Sequence, residues 1–242
     1  MSTLLPRGPQ DHPVPGFLRP LLDGLADVTA DRLTRVPEAP ADARAAAVLM
    51  LFAGPARPER PAPAQAVDGV DVLLLERAAT LRSHSGQVAF PGGALDPGDD
   101  GAVAAALREA REETGLDPAG VDPVAVLPEL YLPPSHFRVS PVLAYWRQES
   151  EVGVVDRGES ARVARVRLAD LVDPAHRFTL THPSGYVGPA FAVDDLLVWG
   201  FTGGLVATML HLAGWERPWD TTRRRELAEF DVPDPTATQV PR

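Results

Sequence analysis

Apolar residues in this chain gather into short dense runs separated by breaks rich in proline and glycine. Between Gly16 and Arg35 the residues Phe17, Leu18, Leu21, Leu22, Leu25 and Val28 recur at helical spacing and predict an amphipathic helix. AAAVLMLF, residues 45–52, reads as a buried strand, and DVLLLER, 71–77, as a second one. The stretch between them, GPARPERPAPAQAVDG, holds too much proline for regular structure. Helical periodicity returns from Ala102 to Thr114, where Gly115 supplies a stop.

VDPVAVLPELYL and FRVSPVLAYW then predict strands joined through Pro133-Pro134, and ARVARVRLADL a strand running into a short helix. HRFTLTHPSGYVGPAFAV predicts a hairpin turning near Ser184-Gly185, and LVWGFTGGLVATMLHLA, 197–213, a buried helix in which Trp199 and Phe201 are core residues. Several strands interleaved with a few helices suggest an α/β or α+β sandwich. The expected organisation is an N-terminal extension over residues 1–43, loose up to residue 16, then a main domain over 44–214. A peripheral polar tail over 215–242 follows, with the basic run at 223–225 on a solvated helix face. The helix at 16–35 could serve a homodimer interface or pack on its own domain.

Composition narrows the chemistry. The 242 residues suit one sizeable core. With no cysteine there is no disulfide framework, thiolate metal site or cysteine nucleophile. A formal net charge of −10 argues against a nucleic-acid partner. An anionic small substrate remains compatible with it, because a divalent metal can supply local positive charge. MSTLLPRGPQDHPVPG lacks the long apolar core of a signal peptide, and no run approaches the roughly 18 apolar residues of a membrane span. The expectation is a soluble cytoplasmic protein without a membrane partner.

REAREETGL, Arg108 to Leu116, is the densest charge cluster in the chain. With Glu109 as zero on a helix of about 100° per residue, Glu113 lies about 40° to one side and Glu112 about 60° to the other. The three carboxylates share a face, while Val103, Leu107 and Ala110 form the stripe expected to pack on a sheet. Ala102, Ala105 and Ala106 are expected to leave the carboxylate side open. Glu109 and Glu113 are like charges at i, i+4, which weakens a helix by a few tenths of a kcal/mol. Carboxylates converging on a hard cation such as Mg²⁺ or Mn²⁺ justify that cost, whereas a solvated acidic face is the plain alternative. The preceding GQVAFPGGALDPGDDG, with Gly86, Gly92, Gly93, Gly98 and Gly101 beside Asp96, Asp99 and Asp100, favours the first. A glycine-rich loop leading into three glutamates describes a metal–phosphate site.

The stretch from Gly92 to Leu116 resembles the Nudix box: G, five residues, E, seven residues, then REUXEEXGU, with U a bulky aliphatic residue. REAREETGL matches the second half, with Ala110 small where a larger apolar residue is usual. In the first half the loop is one residue longer and carries Asp99 or Asp100 in place of Glu. LLLERAATLRSHSGQVAFPGGALD upstream resembles the extension of the coenzyme A pyrophosphatase branch, and VWGFTGGL, Val198 to Leu205, resembles a further segment of it.

This resemblance implies a Nudix-type α/β/α sandwich with a mixed sheet. It further implies a metal-dependent hydrolase of coenzyme A or an acyl-coenzyme A, giving 4′-phosphopantetheine and adenosine 3′,5′-bisphosphate. Glu109, Glu112 and Glu113 would hold Mg²⁺ or Mn²⁺, Glu109 being a candidate for orienting the attacking water. Arg108 would hold Glu112 or a neighbour, with Asp99 or Asp100 assisting. Arg77, Arg82, His84, Gln87, Gly92 and Gly93 would contact the substrate. Glu159 and His136 are further candidates, each with an exposed loop side chain as its plain reading. A hydrolase of ADP-ribose, NADH or a nucleoside triphosphate and a non-catalytic Nudix-fold module are the alternatives. The second is disfavoured because all three box glutamates are present.

Overall fold

A computed structural model describes residues 2–5, 12–26, 28–33, 39–62, 65–81 and 85–233. A two-residue strand β1 (Thr3–Leu4) comes first, pairing with Val126 and Ala125 further along the chain. The predicted helix at 16–35 is two pieces, α1 (Arg19–Leu25) and α2 (Ala30–Leu33). Between them lie the β-branched Val28 and Thr29, poor helix formers. Then follow β2 (Arg44–Ala53), β3 (Asp71–Arg77), the short β4 (Val88–Ala89) and β5 (Gly92–Ala94), and α3 (Gly101–Thr114). Gly115, left-handed at φ 73°, ends α3 as expected.

β6 (Val121–Val126), β7 (Leu130–Leu132), β8 (Phe137–Trp146), β9 (Ser160–Arg167) and the single turn α4 (Leu168–Leu171) come next. β10 (Arg177–Thr181) and β11 (Val187–Val193) form the expected hairpin. The run at 197–213 begins as strand β12 (Leu196–Val198), and the helix, α5, spans only Gly200–Leu212. Leu196 to Val198 hydrogen-bond to β11, so pairing prevails over an apolar run that periodicity could not assign.

The main sheet is mixed, in the order β1-β6-β8-β2-β3-β4, with β5 on β2, β7 on β8 and β9 on β3. β2 lies parallel to β8 along nine register pairs, Arg44↔Phe137 to Phe52↔Tyr145. Its continuous apolar run is explained by burial on both faces. Ala47, Leu49 and Leu51 meet Ala105, Ala106 and Ala110 of α3 on one side. Met50 and Phe52 join Leu18, Leu21, Leu205 and Met209, from α1 and α5 and the turn before α1, on the other. Each such leucine contributes about 1.5–3 kcal/mol by leaving water. The result is the α/β/α layering, with α3 on one face and α1 and α5 on the other.

Towards both ends, described residues pack on the main body. The apolar side of α1 is buried against this chain's own α5, the second of the two expectations for this helix. At the other end the tail expected to be peripheral buries Trp215 and adds a strand, β13 (Arg224–Glu226), parallel to β10. A second, four-stranded sheet results, ordered β12-β11-β10-β13. Arg224 and Arg225 of the basic run are therefore strand rather than helix, and Arg225 lies 4.1 Å over the Phe230 ring.

Candidate functional site

The face that α3 turns to the sheet differs from the stripe predicted for it. Ala105, Ala106, Ala110, Glu113 and Thr114 are buried, whereas Val103 and Leu107 are only half-buried. Small alanines let the helix settle closely on β2 and β5, and the longer residues flank that contact. The buried arc is centred about 60° from Glu109, on the side of Glu113. Glu113 therefore lies inside the contact and Glu109 at its margin, while Glu112 lies beyond it. Their side-chain exposures, 8%, 18% and 57%, follow that order. The three glutamates are thus graded from interior to solvent rather than spread evenly on one open surface.

Glu113 is held from the glycine segment. The Gly92 amide donates to its Oε2 at 2.8 Å, and Arg77 Nη1 stands 3.9 Å from its Oε1. Burial pushes the Glu113 carboxyl up to about 7, the Gly92 amide and Arg77 opposing and the charges of Glu109 and Glu159 adding to the rise. Glu109 is also raised, first by burial, against the pull of Arg108. At Gly93 an added Cβ would fall on the Glu109 carboxylate, so glycine leaves that side chain the place in which Arg108 holds it.

Arg108 organises the outer half. Its Nε and Nη2 donate to Asp99 at 3.0 and 2.9 Å, its Nη1 to Glu109 and Glu112 at 3.0 Å each, and Nη2 also to the Ala94 carbonyl at 3.0 Å. Asp96 lies 3.7 Å away. These carboxylates raise the guanidinium above its ordinary range, and Arg108 in turn lowers Asp99. Of the two aspartates left open by the sequence, Asp99 takes this position. Asp100 stands at the N-terminus of α3 without a side-chain cap bond.

Other candidates divide. Glu159 is exposed, yet its charge acts on Glu113, and its carbonyl accepts from the Ala78 amide. The Gln87 carbonyl accepts the Arg77 amide. His136 faces Tyr131, 2.9 Å from its hydroxyl, and Asp42, 3.3 Å away, and joins none of the box residues. Arg82 and His84 lie outside the described residues. The Ala94 carbonyl, a backbone atom, carried no signal in the sequence.

The donors suit a hard cation: carboxylates only, two of them partly desolvated and mutually repelling. Among the described residues, however, no group of three His, Cys, Asp or Glu side chains is gathered as a ligand set. Glu112 is engaged with Arg108 instead. No helix of the described residues is long and apolar enough to cross a membrane.

A family model described as NUDIX domain matches residues 60–188. The chain belongs to the Nudix family. A Cronobacter sakazakii protein described as an uncharacterized Nudix hydrolase, NudL, is 37% identical over 163 residues, covering 61% of this chain and 77% of its own. The NudL of Escherichia coli K12 is 34% identical over 151 residues, covering 56% and 71%. Among solved structures, the Nudix hydrolase RenU of Mycobacterium smegmatis aligns with a TM-score of 0.45 at 18% identity, covering 74% of this chain and 90% of that one. The Nudix domain of Shewanella oneidensis NrtR, solved with ADP-ribose, aligns at 0.39 and 17%, covering 62% and 84%. In this Nudix chain the box arginine and the aspartate of its lengthened loop form one clamp, and the last box glutamate is buried and held by the amide of Gly92.

Proposed function

We propose that the chain hydrolyses the diphosphate of coenzyme A or an acyl-coenzyme A in a metal-dependent reaction. The observation that carries this reading is the placement of the turn at Ser85–Gln87. Its backbone bonds Arg77, and Arg77 reaches Glu113. The segment resembling the coenzyme A branch therefore adjoins the box helix rather than lying on a remote surface.

Glu109, Glu112 and Glu113 would hold Mg²⁺ or Mn²⁺, as Nudix hydrolases generally do. The ion would neutralise the diphosphate and lower the pKa of bound water. Arg108 fixes the orientation of Glu109 and Glu112 through its Nη1. Glu113, enclosed and held by the Gly92 amide, would offer its remaining oxygen to the ion from a fixed position. Arg77, with a buried Nε that lacks a hydrogen-bond partner among the described residues, has donor capacity for a phosphate oxygen.

The test is incubation with Mg²⁺ or Mn²⁺ and separately with coenzyme A, an acyl-coenzyme A, ADP-ribose, NADH and 8-oxo-dGTP, products being resolved by chromatography. The expected products are 4′-phosphopantetheine, or its acyl form, and adenosine 3′,5′-bisphosphate. Intact coenzyme A beside cleavage of another compound overturns the substrate assignment.

A further inference from the structure

The C-terminal segment from Leu227 to Pro233 crosses from the second sheet to the turn that leads into the glycine segment. It is anchored at its start, where Leu227 is buried and the side chains and amides of Glu226 and Glu229 cap one another. In the middle, Phe230 stacks on Phe178 of β10 with ring centroids 5.4 Å apart and planes at 7°, and Arg225 covers its ring. At its end Pro233 lies against Gly86, where any side chain would strike the proline ring. Gly86 is also left-handed at φ 66°, and both Ser85 and Gly86 are buried.

What lies beneath Gly86 gives this contact chemical meaning. The Gly86 amide donates to the Arg77 carbonyl at 3.0 Å, and the Arg77 amide donates to the Gln87 carbonyl at 3.0 Å. Arg77 pairs with Ser160 of β9 just after a register shift between Glu76 and Arg77, so it stands at an irregularity of the strand pairing. The turn at 85–87 holds its backbone from the other side. A continuous path runs from Phe230 through Pro233, Gly86 and Arg77 to Glu113.

We infer that the Leu227–Pro233 strap is a substrate-positioning element, with Phe230 and Pro233 as positioning residues that hold the 85–87 turn and Arg77 in place for the diphosphate. This rests on the reading that the site hydrolyses such a diphosphate. The strap does no chemistry itself; it sets the position of a binding arginine, and a misplacement near 1 Å at such a group can cost up to about a hundredfold.

The experiment uses the full chain carrying Phe230→Ala, Phe230→Tyr or Pro233→Gly. Steady-state kinetics on coenzyme A are combined with amide hydrogen exchange at Gly86 and Arg77. Phe230→Ala and Pro233→Gly are expected to raise KM by roughly tenfold with kcat changed by less than about threefold, the pattern of lost ground-state binding. Exchange at the Gly86 and Arg77 amides should quicken in both. Phe230→Tyr keeps the stack and should restore KM. An unchanged KM in both disrupting variants overturns the inference, even where exchange quickens. If the wild-type chain cleaves no diphosphate, the functional reading falls by itself. Exchange then decides whether the strap holds the turn, and unchanged exchange at Gly86 overturns that too.

Discussion

Asp99 receives two hydrogen bonds from Arg108, from Nε at 3.0 Å and from Nη2 at 2.9 Å, while its neighbour Asp100 makes no side-chain cap bond to the same helix. A forked, charge-assisted pair of this kind depends on both oxygens being anionic. Asp99→Asn should therefore lower the melting temperature and reduce turnover by about tenfold. Asp100→Asn should leave both near wild type. Thermal melts and initial rates on the two variants, side by side, check this. Equal effects would sink the assignment of Asp99.

Glu113 carries a pH dependence whose direction follows from its raised carboxyl. Its folded value of about 7 lies above the ordinary 4.5, so the folded chain binds the proton more tightly than the unfolded one. The associated stability is fully present below pH 4.5 and is lost as pH rises through 7. In metal-free buffer, Glu113→Gln, a neutral mimic able to accept the Gly92 amide, should be the more stable protein at pH 8.5 by on the order of 2–3 kcal/mol. The difference should shrink towards pH 5. Urea titrations in chelator across this range test it, and parallel profiles for the two proteins would contradict it.

Gly93→Ala should separate activity from folding. The added methyl falls on the Glu109 carboxylate, whose flexible end can swing away, so the melting point should move little. Glu109 would no longer sit where Arg108 holds it, and turnover should drop by roughly a hundredfold. A full-activity Gly93→Ala enzyme would show that the close approach is dispensable.

Ala110 occupies a box position where a larger apolar residue is usual, yet it is fully buried against the sheet. Ala110→Leu should be destabilising by about 1–3 kcal/mol through overpacking. Ala102→Leu, on a half-buried position of the same helix, should cost less. The comparison of urea midpoints checks that α3 rests on alanines.

Mg²⁺ or Mn²⁺ should raise the melting temperature of the wild-type chain, by linkage to whatever binds the folded state alone. Glu112→Gln and Glu113→Gln should each weaken that rise and lower turnover by several orders of magnitude. A full metal-induced shift retained in both variants would remove these glutamates from the ligand set.

The central strands and α3 were legible because their residues carry strong signals: long apolar runs at β2, β3 and β8, and a helical period closed by Gly115. β5 was not, since Gly92-Gly93-Ala94 has no alternation and owes its strand form to pairing with β2. β13 was hidden for the opposite reason, three charged residues held by the backbone of β10. Within the site, residue types and spacing were readable from REAREETGL. The depth of each glutamate was not, because it depends on where the sheet touches the helix.

The loop between the two halves of the box is tied at both ends, Gly92 to Glu113 and Asp99 to Arg108, and between the ties Asp96 and Asp99 exchange hydrogen bonds in a small turn. Loop length is thereby decoupled from the placement of the tied atoms. An extra residue is taken up as slack inside a closed ring while the anchored atoms keep their stations. For this chain, counting positions from glycine to glutamate is a poor ruler, and what fixes the loop physically is a pair of knots rather than a distance.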